Sequence, residues 1–251
     1  MHSNNYFTTR RTIRRYDTTR DIPESTIKKM LQAASQAPNT GNMQIYSVII
    51  TKSEEGKKAL APAHFNQPSV MRASAVLTFC LDINRFNHWC RINDAIPGLN
   101  NLQGFMWGII DTSIFAQQFC TIAEMHGFGT CYLGTTTYNA ETIAKALELP
   151  EGVIPVITVT VGYPDETPEI SDRLDIDSIA HTEKYHNPDS DEIKKIYASK
   201  ESLPSSQQFV TENSKDNLAQ VFAEVRYPRE ANEKFSKVYL SLIHISEPTR
   251  P

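Results

Sequence analysis

The stretch QGFMWGIIDTSIFAQQFCTIAEMHGFGTCYLG, residues 103–134, constrains the fold more than any other part of the chain. Phe105, Ile109, Phe115, Phe119, Ile122 and Ala123, with Met106, Ile110, Ile114 and Met125, recur at helical spacing on more than one face. This predicts a long helix over 105–125, buried most of the way round. Gly127 and Gly129 predict positive-φ positions at its end, and Thr130-Cys131-Tyr132-Leu133 favours extended backbone after them. A buried helix running into a strand can form a rigid wall beside a ligand. Plain core accounts for the helix equally well, and only the segment after the glycines points further.

A chain of 251 residues can bury one substantial core or two small ones. Its net charge of −4 argues against bulk nucleic-acid binding, so no nucleic-acid partner is expected. Cys80, Cys90, Cys120 and Cys131 show no CxxC or metal-finger spacing, and no signal-peptide core opens the chain. A reduced, cytoplasmic setting is the expectation. Asp111, Thr112, Ser113, Gln117 and Gln118 interrupt the apolar helix, so no membrane span is expected either.

From the amino end, Arg10, Arg11, Arg14 and Arg15 crowd around Thr12 in an otherwise acidic chain. Arginine forks with a hydroxyl suit a phosphomonoester, although such clusters are more often solvated surface. Residues 23–37 open with proline in the first turn and space Ile27, Met30, Leu31 and Ala34 as one helical face. The loop at 37–44, rich in small and amide side chains, can approach a planar polar ligand or merely connect. Residues 46–51 read as an inner strand, 53–60 as a short helix broken by the polar loop 64–68, and 73–82 as a second buried strand. Residues 82–98 read as irregular. Asn139 reads as the N-cap of a helix carrying Ile143, Ala144 and Leu147, and 154–164 as a strand with two unlike faces. Beyond 165 the chain turns polar, with helices near 192–197 and 218–225.

Several motifs are missing. There is no Walker phosphate loop, no HExxH and no GxSxG, and Gly127-Phe128-Gly129 is followed by Tyr132 where a dinucleotide fingerprint needs glycine. The histidines have no ligand spacing, so no metal is expected. The end of the chain, LSLIHISEPTR at 240–250, resembles the in-frame translation of a sequencing adapter, with a genuine terminal strand as the alternative. No function is assigned beyond residue 239.

Taken in order, Arg10-Arg11-Thr12-Ile13-Arg14, the loop ending at Gln44, the run FCLDINR at 79–85, and Cys131-Tyr132-Leu133-Gly134 followed by Leu149-Pro150 and Gly162-Tyr163-Pro164 resemble the nitroreductase and flavin reductase family. The likeness is to its larger, oxygen-insensitive, NADPH-using branch. The resemblance implies an α+β fold with a mainly antiparallel sheet flanked by helices. It also implies a homodimer built on the long helix, with FMN at the interface and NADPH or NADH as reductant. Over the chain this gives the expectation of an FMN-binding domain at 1–185, followed by an extension packed on the core at 186–239 and, from the sequence itself, the adapter-like tail at 240–251.

By position, Arg10, Arg11, Thr12 and Arg14 resemble the phosphate and pyrimidine-edge ligands, and Arg173 a further phosphate contact. Asn39, Thr40, Asn42 and Gln44 resemble the loop given to the flavin by the other subunit, and Gln67 a polar contact to the ring. Tyr132 leads into Leu133, Gly134 and Thr135, the wall beside flavin N5. The implied chemistry is two-electron ping-pong transfer to nitroaromatics, quinones or free flavins, carried by the flavin with no catalytic protein acid or base. Arg14 is the candidate for balancing charge on the reduced ring. Ser171 stands where the branch tends to carry lysine, and 209–216 lacks the paired arginines that the branch sets on the NADPH 2′-phosphate, which leaves the nicotinamide preference open. The alternatives are a reductive dehalogenase-like or other flavin-dependent oxidoreductase of the same fold, a non-catalytic flavin binder, and an interaction protein whose arginines meet an acidic partner.

Overall fold

The computed structural model describes residues 3–242, so the end of the adapter-like tail lies outside the described residues. Its helices are α1 (Ser3–Thr9), α2 (Glu24–Ala34), α3 (Glu54–Leu60), α4 (Pro68–Arg72), α5 (Ile83–Arg91), α6 (Leu102–Met125), α7 (Ala140–Ala146), α8 (Ser190–Glu201), α9 (Pro204–Glu212), α10 (Leu218–Gln220) and α11 (Arg229–Leu242). The strands β1 (Tyr46–Thr51), β2 (Ala75–Asp82), β3 (Gly129–Leu133) and β4 (Val153–Gly162) form one sheet in the order β1-β2-β4-β3, with every pair antiparallel. Together they make the nitroreductase-like mixture of helices and antiparallel sheet expected from the sequence.

The helix α6 lies on one face of that sheet. Its Phe115, Phe119 and Ala123 pack with Leu77 and Phe79 of β2, Val159 and Val161 of β4, and Ile27 and Met30 of α2. Gly108 permits the close approach, since a Cβ there would fall 1.9 Å from Leu81 Cδ1. On the opposite face Leu60, Val70 and Ile143, carried by α3, α4 and α7, cover Val76, Cys131 and Leu133. Both faces are thus dry, which explains why β2 is buried along its whole length.

Five expectations need correction. First, β1 is an edge strand among the described residues, and its middle positions are half-buried; an apolar run of this kind is common to inner and covered edge strands. Second, the unlike faces of β4 do not divide core from solvent, because the threonine side is buried too: Tyr16 OH bonds Thr160 Oγ1 (2.7 Å), and Thr158 N donates to Thr136 Oγ1 (3.1 Å). The register shifts opposite Phe79 and Cys80, where Val156 is the extra residue beside Pro155, which has no N–H to give the ladder.

Third, residues 83–91 are helical, because the Asp82 carboxylate accepts the Arg85 N–H at 2.9 Å and caps them. Fourth, Gly127 has positive φ (81°) but Gly129 does not; its requirement is space, with Ile13 Cβ and Cγ2 each 2.7 Å from where its Cβ would stand. Fifth, α6 is not buried all round. Leu102 (55 % exposed), Met106 (45 %), Ile110 (47 %) and Ile114 (37 %) form an apolar stripe with a four-residue step.

The chain divides into two compact units, Met1–Pro168 with Phe235–Pro251, and Glu169–Lys234. In the first, Tyr239 of α11 donates to Pro155 O at 2.9 Å, and Phe235 packs its ring on Tyr138. The second has its own core of Val210, Leu218 and Val221 with Phe209 against it. Asp189 and Glu192 close a reciprocal cap at the start of α8, and a π-helical turn runs over Val221–Arg226.

Candidate functional site

The arginine segment runs as extended backbone between β3 and the residues after β4. Ile13 N donates to Thr130 O at 3.0 Å, Tyr16 bridges to Pro164, and Asp165 N donates to Arg15 O at 3.0 Å. Ile13 and Tyr16 point inward, while Arg14 and Arg15 are exposed. The Glu166 carboxylate fixes the turn, accepting Arg14 N (2.6 Å) and Arg15 N (3.0 Å). Those backbone bonds, the one from Arg14 above all, lower its pKa.

Arg10 is held differently. Its Nε (3.1 Å) and Nη2 (2.9 Å) fork onto Glu124 near the end of α6, and the same carboxylate accepts Tyr6 OH (2.7 Å) and Thr130 Oγ1. Burial opposes the Arg10 charge, but the Glu124 bond and charge outweigh it and raise the Arg10 pKa. Burial, then Glu124, pushes the Tyr6 hydroxyl up to about 12. One edge of Arg10 is therefore spent on Glu124, with Nη1 left over. Arg11 is half-buried, and its Nε is shielded from solvent with no hydrogen-bond partner. A buried guanidinium N–H without an acceptor is costly, and an oxyanion is the partner its chemistry fits.

At the far end of β3, about 14 Å from Thr130 at the usual rise per residue, the chain turns through Gly134–Thr136. Thr136 Oγ1 donates to Leu133 O at 2.7 Å and holds the turn, and Gly134 is exposed with open space where a Cβ would be. His64 Nδ1 sits 2.8 Å from Thr135 Oγ1, and Asn139 Nδ2 donates to Ala63 O at 2.7 Å. These bonds dock the turn carrying Gln67 against the one carrying Gly134 and Thr135. Tyr132, half-buried in β3, has its pKa raised by burial. Burial likewise pushes Cys120 up to about 12 and raises Cys131, so neither thiol offers a thiolate nucleophile here.

The loop with Asn39, Thr40, Asn42 and Gln44 stands apart from both groups within one chain. It enters β1, whereas the arginines border β3 at the opposite edge of the sheet. Thr40 N (3.0 Å) and Oγ1 (2.9 Å) donate to Asp111 of α6, and Asn39 Oδ1 accepts Gln44 N at 3.3 Å. Gly41, Asn42 and Gln44 take left-handed backbone (φ 57°, 56° and 52°), and Arg85 Nη2 donates to Gln44 O at 2.6 Å. Asp111 and Glu124 are thirteen residues apart on one helix, about 20 Å along its axis.

Arg173 lies in the second unit, where its Nη1 donates to Asp172 O at 2.7 Å and Ser171 O at 3.3 Å. There too Lys215 is paired with Glu224 (2.7 Å), Arg229 with Glu233 (2.7 Å), and Arg226 lies 4.6 Å over the Phe209 ring. Sequence reasoning missed the three carboxylates that hold the site segments, Glu166 and two on α6. Asp111 and Glu124 are the acidic residues of the otherwise uncharged α6, and an acid in so apolar a helix is itself a signal. No helix among the described residues is long and apolar enough to cross a membrane.

Comparison with known proteins adds four findings. Residues 7–163 match the model of the nitroreductase family. The crystal structure of a Bacteroides fragilis NCTC 9343 protein superposes with a TM-score of 0.92 at 47 % identity, over 95 % of this chain and 97 % of that one. The oxygen-insensitive NADPH nitroreductase of Salmonella typhimurium is 28 % identical over 171 residues, 68 % of this chain and 70 % of its own. An Exiguobacterium sibiricum 255-15 protein crystallised in complex with FMN is 26 % identical with a TM-score of 0.61, over 73 % of this chain and 98 % of that one.

Proposed function

The chain belongs to the nitroreductase family, and on that premise we propose that it is an FMN-dependent NAD(P)H oxidoreductase that reduces small electron-poor molecules, such as nitroaromatics, quinones or free flavins. The observation that carries this reading is the buried, unpartnered Nε of Arg11 beside the exposed Arg14, with an open turn at the other end of β3. That donor set fits a ligand with a phosphate at one end and a planar ring at the other.

Bound FMN would supply the two-electron redox chemistry. Arg11, Thr12 and Arg14 would hold its phosphate and pyrimidine edge, and Arg10 would contribute from the edge that Glu124 leaves free. The backbone of Tyr132, Leu133, Gly134 and Thr135 would flank the ring, with Gln67 as a polar contact. Glu124 holds the Arg10 guanidinium and Glu166 fixes the backbone at Arg14 and Arg15, so part of the ordering cost of binding is met beforehand.

The reading also includes a homodimer. The exposed stripe of Leu102, Met106, Ile110 and Ile114 calls for cover, and two copies packed along α6 would bury it. Such packing would also let the loop of Asn39, Thr40, Asn42 and Gln44 serve the partner's flavin, since about 20 Å along α6 separates its anchor from that of Arg10 in the same chain. Lys215 and Arg229, loose substitutes for the paired arginines that the chain lacks at 209–216, are each paired with a glutamate, so the reductant is either NADPH or NADH.

The test is to strip the protein of flavin and compare its binding of FMN with that of riboflavin, in the wild type and in Arg11→Ala and Arg14→Ala. A phosphate clamp predicts a strong preference for FMN that each substitution reduces. Equal affinity for the two flavins in every form would refute the clamp.

A further inference from the structure

His64 has no exposed surface, and no charged group sets its acidity; burial alone lowers its pKa to about 4. At neutral pH its ring is therefore neutral, with one N–H and one lone pair. Nδ1 lies 2.8 Å from Thr135 Oγ1, while Nε2 is buried without a partner. A buried N–H left unmet is the rarer state in folded proteins, and a bare lone pair the more tolerable one. The hydrogen thus belongs on Nδ1, which donates to Thr135 Oγ1. Thr135 is then held as an acceptor, and its own hydroxyl hydrogen points away from the imidazole.

The place of this bond matters more than its strength. Asn139 Nδ2, donating to Ala63 O, reinforces the same junction between Ala61–His64 and Gly134–Thr136. From His64 the chain passes through Phe65 and Asn66, both left-handed (φ 54° and 53°), to Gln67, whose N–H donates back to His64 O at 3.1 Å. The imidazole is accordingly the strut between the two segments that the proposed function sets against the flavin ring, Gln67 on one side and Gly134 with Thr135 on the other. Packing alone would be served by leucine, without an orphaned nitrogen. The hydrogen bond is what histidine adds.

We propose that His64 is a positioning residue for the redox centre: by fixing Thr135 as an acceptor it aims the Thr135 hydroxyl and the Gly134–Thr136 turn at the flavin ring, and so raises the reduction potential of the bound cofactor. This rests on the FMN reading above. The effect is indirect, through a donor aimed at the electron-rich reduced ring, and His64 itself touches no substrate.

The test compares the two-electron midpoint potential of the bound flavin, by spectroelectrochemical titration, in the wild type, His64→Leu and His64→Asn. Asparagine places an amide donor near the position of Nδ1, whereas leucine keeps the bulk and removes the bond. Leucine should cost the reduced flavin roughly tenfold more affinity than the oxidised flavin, a fall of about 30 mV for a two-electron couple. Asparagine should return most of that shift. Wild-type potential in both variants, even with earlier melting, overturns the inference and leaves His64 as packing. A wild type that binds no FMN overturns the reading of the site together with the inference. Should His64→Leu fail to fold, Thr135→Val against Thr135→Ser asks the same question: the valine variant should show the fall and the serine variant should not, and equal potentials in the two overturn the inference.

Discussion

Replacing Gly129 by alanine tests how the proposed phosphate clamp is seated. The added methyl carbon would stand 2.7 Å from Ile13 Cβ and Cγ2 and 2.8 Å from Cγ1, where carbons prefer about 3.5–4.0 Å. Ile13 is β-branched and buried, so no rotation clears all three atoms, and the segment itself must move by about 1 Å. The Ile13 N–H bond to Thr130 O, now 3.0 Å, would then open to about 4 Å and be lost. Overpacking costs about 1–3 kcal/mol and the lost bond about 1 kcal/mol, giving about 2–4 kcal/mol of stability. Arg11 and Arg14 ride on that backbone, so FMN affinity should fall roughly tenfold, which is about 1.4 kcal/mol of phosphate contact. Gly127→Ala is the control: it strains a positive φ of 81° with nothing within 4 Å of the new methyl, so it should cost about 1 kcal/mol of stability and leave FMN affinity alone. Urea denaturation and flavin-quenching titrations measure both quantities. A Gly129→Ala protein as stable as wild type, or one that binds FMN as well as Gly127→Ala does, would refute the reasoning.

Three other outcomes are expected. His64 has a folded pKa of about 4 against an ordinary value near 6.5, so the unfolded chain takes up a proton that the folded chain refuses. Stability should therefore fall as pH drops from 6.5 toward 4, by up to about 3 kcal/mol; urea titrations at both ends should show a larger loss in wild type than in His64→Asn, and equal losses count against a buried neutral imidazole. Asp111→Ala leaves Thr40 N and Oγ1 without their acceptor, which should cost about 1–3 kcal/mol and speed amide exchange at residues 40–44; unchanged exchange means that Asp111 does not hold the loop. Ile110→Glu puts a charge in the middle of the exposed α6 stripe and should shift sedimentation from dimer toward monomer, whereas an undiminished dimer would place the interface elsewhere.

Local patterns carried much of the fold. The i, i+3, i+4, i+7 spacing of Ile27, Met30, Leu31 and Ala34 gave α2 its buried face, and β1 spans the residues read as a strand. What local patterns could not carry was position in the sheet. Nothing in the run YSVIIT distinguishes an edge from an inner strand, and the burial of Thr158 and Thr160 depends on Thr136 and on Tyr16, far away in sequence. The same holds for the site. Arg10 finds Glu124 across 114 residues and Thr40 finds Asp111 across 71, so the arginines and the amide loop were visible while the carboxylates that aim them were not. Gly129 shows a subtler gap: its glycine character was plain, but the cause was a neighbouring side chain rather than its own backbone angle.

The central claim, that this fold holds a flavin reducible by a nicotinamide, is tested most directly by the visible spectrum of the purified protein during anaerobic titration with NADPH and, separately, NADH. The expected result is a flavin absorption band at one FMN per chain that bleaches with the nicotinamide and returns when a quinone or nitroaromatic is added. A colourless protein that refuses added FMN, or a flavin band that neither nucleotide bleaches, would contradict it.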